Sequence, residues 1–183
     1  RKLRLRVSAT KTKVVRPTKS NFLGFTFWKS KDGWKCRPAK DRKKKLYEKT
    51  REILCRKKAT ARTIKSTFMQ LNWLIRGWIN YYRIGSMKGF LDEYGQWLRH
   101  KVRVVILKQW KKPETIFKNL TALNRIQKCG FEEKRLLSVA NARQGWYRMA
   151  AIRGINFLLN PTILGKKTKS RPGLTDPLAY YLS

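Results

Sequence analysis

The segment from Leu71 to Gly85, LNWLIRGWINYYRIG, is the most aromatic part of a longer run with helical spacing. Apolar residues recur there at intervals of three and four, which places them on one stripe of an α-helix. The stripe consists of Ile64, Phe68, Leu71, Ile75, Trp78 and Tyr82. Further apolar residues widen this surface: Trp73, Leu74, Ile79 and Tyr81. We therefore expect a helix that ends near Arg83 and is covered on several sides, as the central helix of a bundle.

The charge of the chain is its most unusual bulk property. The 183 residues contain 45 Lys and Arg against 10 Asp and Glu, a formal net charge of +35. Such an excess repels itself on a folded surface and is most easily understood if a polyanion neutralises it. Nucleic acid is the first candidate, and an anionic membrane surface is the second. No stretch is long and apolar enough to span a bilayer, and no signal peptide is visible.

The first forty residues have strand character. Residues 1–7 alternate between apolar and basic side chains, which predicts a strand with one buried face. A polar turn at residues 8–13, a second short strand at Val14 and Val15, and a third strand over residues 22–28 follow. Asp32-Gly33 predicts a hairpin whose returning strand stops at Pro38. Because the chain starts with Arg1 directly in a strand pattern, we expect it to be a fragment with an upstream partner.

Helices follow the strands. The pattern predicts helices over residues 40–58, 89–110, 113–129 and 131–151, with Thr60 or Thr63 as the cap of the central helix. Gly77 and Gly95 interrupt good helices, and each costs about 1 kcal/mol relative to Ala. Close approach of a neighbouring backbone is the favoured explanation for both. Approach of a nucleic-acid backbone is the alternative.

Catalytic residues are scarce. His100 is the only histidine, which excludes a site built on several histidines. No two carboxylates form the strand-borne pair of a two-metal site, and no glycine-rich phosphate loop is present. The three cysteines match no zinc spacing and no disulfide framework, so we expect reduced thiols in a cytosolic compartment. The chain alone is therefore better interpreted as a binding module than as an enzyme.

Binding residues, in contrast, are abundant. Phosphate contacts require Lys and Arg, whereas base or sugar stacking requires exposed rings and guanidinium planes. The sequence interleaves the two types throughout its length. About two-thirds of the aromatic residues are expected in the core. Trp34, Trp110 and Tyr147 lie in or beside breaks, which makes them the better candidates for contact.

Four stretches, in the right order, resemble the C-terminal part of group II intron-encoded reverse transcriptases, or maturases. LRVSATKTKVV at residues 5–15 looks like the late palm segment, and NFLGFTFW at residues 21–28 looks like the last polymerase block. Residues 71–85 look like the thumb, or X domain, signature. Residues 110–149, with Cys129-Gly130 and ARQGWYR at residues 142–148, look like the segment after the thumb, which that family associates with DNA target binding.

The resemblance implies a mainly α fold: a helical thumb bundle preceded by a small antiparallel β-hairpin region, with an additional small helical C-terminal segment. It divides the chain into the end of the palm at residues 1–39, the thumb at 40–112, and a basic, DNA-binding-like segment at 113–183. The family's Tyr-x-Asp-Asp metal site, where Mg²⁺ is expected, would lie upstream, so we expect no cofactor in this chain. A terminal His-Asn-His endonuclease is also absent.

The implied function is to grip intron RNA and template–primer and so support splicing and retrohoming. Implied partners are group II intron RNA, RNA/DNA template–primer, target DNA and the upstream fingers and palm, in a bacterial cytosol or nucleoid and without a membrane. An active polymerase and a stand-alone basic RNA-binding or structural protein unrelated to retroelements remain the alternatives. Lys11 or Lys13 matches a palm lysine that has been proposed to assist catalysis, although a plain phosphate contact is an equal alternative.

Candidate contacts are of two kinds. Phe22, Leu23, Gly24 and Phe25 resemble a primer grip of the palm. The candidate nucleic-acid-binding cations are Lys11, Lys13, Lys29, Lys35, Arg37, Lys43, Lys44, Lys45, Arg62, Lys65, Arg76, Arg83, Arg99, Arg103, Lys108, Lys111, Lys112, Arg143 and Arg148.

Overall fold

A computed structural model describes residues 14–183, and the elements below belong to that part of the chain. The three strands are β1 (Asn21–Phe22), β2 (Phe25–Ser30) and β3 (Gly33–Pro38). The helices are α1 (Lys40–Ile53), α2 (Arg56–Ala61), α3 (Ile64–Tyr82), α4 (Lys88–Trp110), α5 (Pro113–Gln127), α6 (Glu133–Ala140), α7 (Trp146–Met149), α8 (Arg153–Leu158), α9 (Pro161–Gly165) and α10 (Pro177–Leu182). A small sheet followed by a helical bundle confirms the predicted fold class. The strand and turn predicted within residues 1–13, with Lys11 and Lys13, lie outside the described residues.

The sheet is antiparallel in the order β1-β2-β3. The hairpin predicted at Asp32-Gly33 is present, and Gly33 opens β3 with φ +113°. The single strand predicted over residues 22–28 is wrong, because a tight turn at Leu23-Gly24 divides it into β1 and β2. Both turn residues have positive φ, as the favoured two-residue hairpin turn requires. The strand predicted at Val14 and Val15 is also wrong, since both residues are exposed and neither belongs to a strand.

Helix α3 carries the predicted stripe. Phe68, Leu71 and Ile75 are at most 1% exposed, and each such burial contributes about 1.5–3 kcal/mol. Thr63, one of the two predicted caps, accepts a hydrogen bond from the Ser66 backbone N–H at 3.2 Å. That bond supplies a partner for one of the free amides at the start of the helix.

Helix α4, rather than α3, is the element that most others share. Helices α2, α5, α7 and α10 pack against α4, whereas α1 and α10 pack against α3. Helix α3 is thus covered by two helices, but the coverage predicted for Trp73 and Tyr81 is wrong, because they are 68% and 55% exposed. Helix α3 therefore buries one stripe and presents aromatic rings to solvent on another.

Two predicted helices are interrupted. The helix expected over residues 40–58 ends at Ile53, and the chain restarts as α2 in a new direction. This change buries Ala59, whose carbonyl accepts a hydrogen bond from the Gln109 amide of α4 at 2.9 Å. The helix expected over residues 131–151 is divided into α6 and α7, because Gly145 is extended at φ −59° and ψ 147°.

The carboxamide of Asn72 on α3 binds the backbone of the last segment of the chain twice. The Asn72 Nδ2 donates to the Gly173 carbonyl at 2.7 Å, and the Thr175 amide donates to Asn72 Oδ1 at 2.8 Å. Asn72 thus binds the chain at 173–175 as a neighbouring strand would. A second link joins α4 to this segment, where Arg99 Nη1 lies 2.9 Å from Asp176 Oδ2.

A buried pair of hydroxyl groups joins α1 to α4. The Thr50 hydroxyl donates to the Leu46 carbonyl at 2.8 Å and lies 2.7 Å from the Tyr94 hydroxyl. Because the Thr50 proton is already used, the Tyr94 hydroxyl is the donor in the second bond. Burial raises the pKa of the Tyr94 phenol far above its usual range, so this donor stays protonated.

Replacing Thr50 by Val should therefore destabilise the fold more than replacing Tyr94 by Phe. Thr50→Val leaves a buried phenol without a partner, which costs about 1–3 kcal/mol, whereas Tyr94→Phe removes a single bond worth about 0.5–1.5 kcal/mol. Urea unfolding of both variants and of the double variant measures the difference. A larger loss in Tyr94→Phe would contradict the assigned direction of the bond.

Candidate nucleic-acid interface

Helix α1 concentrates charge next to the aromatic face of α3. It contains seven Lys and Arg and three acidic residues in fourteen positions. Arg42, Lys45 and Lys49 are separated by three and four residues, so they share one face of the helix. This face looks toward α3.

We name the cleft between these two helices the aromatic groove; it is lined by Arg42, Lys45 and Lys49 of α1 and by Trp73, Gly77 and Tyr81 of α3. Its volume is about 400 Å³. The three α3 residues are four apart, which places them in one row along the helix. Trp73 and Tyr81 are about 12 Å apart along the axis, given a rise of 1.5 Å per residue. The groove thus has a cationic wall and an aromatic wall.

Gly77 lies between the two exposed rings. A Cβ atom built on Gly77 would meet nothing within 4 Å. The prediction that a neighbouring backbone packs there is therefore wrong. At Gly95 the neighbours are side chains rather than a backbone, since a Cβ would lie 3.1 Å from Arg99 Nη1 and 3.5 Å from the Pro177 ring. Because the surface at Gly77 is open, the alternative explanation, that a nucleic-acid backbone approaches there, remains.

The turn between β1 and β2 continues the aromatic wall. The Tyr81 hydroxyl donates to the Leu23 carbonyl at 3.1 Å, and Phe22 and Leu23 are 64% and 65% exposed. Gly24 is required there, because it has φ +82° and its Cβ would lie 2.7 Å from the Tyr82 hydroxyl. Of the four residues that resemble a primer grip, Phe22 and Leu23 are therefore exposed in the turn beside Tyr81, while Gly24 and Phe25 are buried.

The other sequence-predicted cations fall into three groups. Arg62, Arg99 and Arg103 are bound within the fold: Arg62 donates to Gln70, Arg99 pairs with Asp176, and buried Arg103 donates to the Leu159 carbonyl. Lys43 and Lys108 are half-buried. The exposed group consists of Lys29, Lys35, Arg37, Lys44, Lys45, Lys65, Arg76, Arg83, Lys111, Lys112, Arg143 and Arg148.

Several exposed cations already have partners. Lys35 pairs with Asp32 at 2.8 Å, Arg37 lies over Trp28, and Arg76 donates to Thr175. Among the predicted contact rings, Trp34 and Tyr147 are exposed at 55% and 58%, whereas Trp110 is half-buried against the core. Tyr147 packs on His100, with 4.2 Å between ring centroids.

Four residues of the aromatic groove were not predicted from the sequence as nucleic-acid contacts: Arg42, Lys49, Trp73 and Tyr81. The signal that could have identified them is their spacing. Cations at 42, 45 and 49 match one helix face, and rings at 73 and 81 flank a glycine on another. What the sequence does not contain is the information that the two faces meet.

Neither a metal cluster nor a membrane span is found in residues 14–183. No group of three His, Cys, Asp or Glu side chains there could hold a metal ion. No helix within that range is long and apolar enough to cross a membrane.

A helical domain that pairs a cationic wall with exposed rings is typical of nucleic-acid binding. Residues 43–123 match the family described as the group II intron, maturase-specific domain. No curated protein matches the chain.

This match is consistent with the C-terminal part of a group II intron maturase. This finding confirms the resemblance inferred from the sequence. It implies binding of group II intron RNA and supports a role in splicing. The matched residues include α1 from Lys43 onward and the whole of α3 and α4, so both walls of the aromatic groove, apart from Arg42, lie within the match. The alternative of a basic protein unrelated to retroelements is correspondingly disfavoured.

Replacing Gly77 by Ala should stabilise the fold, by about 1 kcal/mol, because Ala is the better helix former and the methyl group enters open space. Gly95→Ala should gain less or lose stability, since its methyl would press on Arg99. Urea unfolding at fixed salt measures both. If Gly77→Ala were destabilised, other residues of the protein would have to pack against Gly77, and the groove would not be open.

Proposed function

We propose that this domain grips group II intron RNA in the aromatic groove. Phosphates would contact Arg42, Lys45 and Lys49, and unpaired bases would stack on Trp73 and Tyr81. The single observation that carries the proposal is the open row at Gly77, which brings a helix backbone to the surface between two exposed rings. Among residues 14–183, no side chain or backbone atom covers that row.

The charge distribution supports the same proposal. Within residues 14–183, the cations of the groove wall form one ion pair, between Arg42 and Asp41 at 3.2 Å. Lys45 and Lys49 are exposed, and no ion pair of theirs is found within residues 14–183. Release of counterions from RNA would then supply most of the affinity.

The wider role follows from the resemblance to reverse transcriptases. The chain would supply the end of the palm, the thumb and a basic C-terminal segment, divided at residues 39 and 112. It would also hold RNA/DNA template–primer and target DNA during retrohoming, together with an upstream fingers and palm portion that carries the metal site. The groove lies where the β1–β2 turn meets α3, so a strand held there would run between the palm-like and thumb-like parts.

Neutralising the groove wall should weaken RNA binding in a salt-dependent way. If about eight phosphates are contacted, log K should fall with log salt at a slope near −7, and Lys45→Gln/Lys49→Gln should make that slope shallower by about 1.8. Titrations of a structured intron RNA between low and physiological salt measure the slope. A flat response in the wild-type chain would contradict the proposal.

A large side chain at Gly77 should reduce RNA affinity without reducing the stability of the fold. Gly77→Leu places a good helix former in open space, so the fold should persist while RNA affinity falls by at least tenfold. Trp73→Ala should cost about 1–3 kcal/mol of binding through lost stacking. Gly154→Ala and Phe157→Ala are the matched controls, since they change an open glycine and an exposed ring on α8. Equal losses in the controls would argue against the groove.

A further inference from the structure

Helix α1 carries its cations on two nearly opposite faces. Arg42, Lys45 and Lys49 line the aromatic groove on one side. With 3.6 residues per turn, the remaining cations of α1 lie on the other side. These are Lys40, Lys43, Lys44 and Arg51.

An acidic ridge separates the two faces. Asp41, Glu48 and Glu52 are spaced by seven and four residues, which aligns them in one outward row between the two sets of cations. All three are exposed. A single polyanion that wrapped α1 continuously would have to cross this row of negative charge. Two separate anionic segments, one on each side, would avoid it.

The second face of α1 forms a groove of its own, which we name the lysine groove. It lies between α1 and the first turns of α4 and has a volume of about 710 Å³. The α4 side contributes Gly89, Phe90 and the one acidic residue of the lining, Glu93. The groove therefore brings four cations to one concave surface.

Two of the four cations of the lysine groove lie over aromatic rings. Lys43 Nζ lies 4.8 Å from the centroid of Phe90, and the Arg51 guanidinium lies 5.8 Å from that of Tyr47. Burial, followed by repulsion from Arg37, lowers the pKa of Lys43, while Glu93 opposes that shift. Contacts of this kind hold charge at the surface without neutralising it. A bound anion would relieve the repulsion.

We propose that the lysine groove binds the phosphodiester backbone of a second nucleic-acid segment while the aromatic groove holds the first. The geometry favours nucleic acid over an anionic membrane. The cations line a concave surface, and the acidic ridge beside them would face a flat anionic sheet and repel it. The rings of this groove are half-buried under the cations rather than protruding, so they could not insert into lipid.

The inference extends the proposed function, because one helix would hold two segments of a folded RNA at a fixed distance. This second-site proposal rests on the proposed RNA-binding function for the class of ligand. The position of the second site comes from the lysine groove itself. Lys40→Gln/Lys44→Gln changes two exposed lysines of the lysine groove. Lys45→Gln/Lys49→Gln removes the same charge from the aromatic groove. Lys134→Gln/Arg135→Gln removes it from exposed positions of α6.

The experiment titrates the full chain with a labelled twelve-nucleotide single-stranded RNA at protein concentrations above the dissociation constant. The wild-type chain and the α6 variant should bind two oligonucleotides, and each groove variant should bind one. Lys40→Gln/Lys44→Gln should abolish one of the two binding steps. In the wild-type chain, log K of that step should fall with log salt at a slope of at least about 1.4, which corresponds to two phosphate contacts. Circular dichroism on each variant confirms an intact fold.

The outcomes separate the two proposals. If the wild-type chain binds one oligonucleotide, and only the Lys45→Gln/Lys49→Gln variant loses it, the second site is refuted and the first is retained. Two oligonucleotides on Lys40→Gln/Lys44→Gln would also overturn it. Loss of pelleting with phosphatidylserine vesicles in that variant, with both oligonucleotides retained, would assign the groove to a membrane instead. Absence of any RNA binding would refute both proposals.

Discussion

Two buried side chains, Leu46 and Thr50, hold α1 against the bundle, and both candidate grooves depend on that contact. Each is at most 2% exposed, although the helix around them is densely cationic. Burial of Leu46 contributes about 1.5–3 kcal/mol, and the hydrogen bond from Tyr94 to Thr50 adds about 0.5–1.5 kcal/mol. These terms fix the position of seven cations beside α3 and α4.

Mutual repulsion of the cations opposes this arrangement. At physiological salt such repulsion is screened over about 8 Å, so it acts mainly between neighbours on one face. Exposed pairs such as Lys44 with Glu48, 3.9 Å apart, offset little of it. The surface that remains is suited to a polyanion, and binding one would also stabilise the fold by mass action.

The local elements could be predicted from the sequence, whereas the grooves could not. Spacing of apolar residues located α3 and α4, and Thr63 and Asp32-Gly33 marked a helix start and a hairpin, because each signal acts within a few residues. The failures concern contacts between distant segments. Gly77 and Gly95 both lie in the middle of apolar helices, yet Pro177 packs beside Gly95, and none of residues 14–183 packs beside Gly77. Arg103 has the pattern of a surface cation, but it is buried, with its Nε bound to the Leu159 carbonyl.

The Asn72 carboxamide, bound to both Gly173 and Thr175, sits on the helix that also presents Trp73 to solvent. Asn72 holds the terminal segment together with Arg76, which donates to Thr175, and its neighbour Trp73 forms the rim of the aromatic groove. Aspartate at position 72 could accept from Thr175 but could not donate to Gly173, so only an amide satisfies both partners. The terminal segment therefore supports the stretch of α3 that presents Trp73, so its attachment and the shape of the candidate RNA site are physically linked.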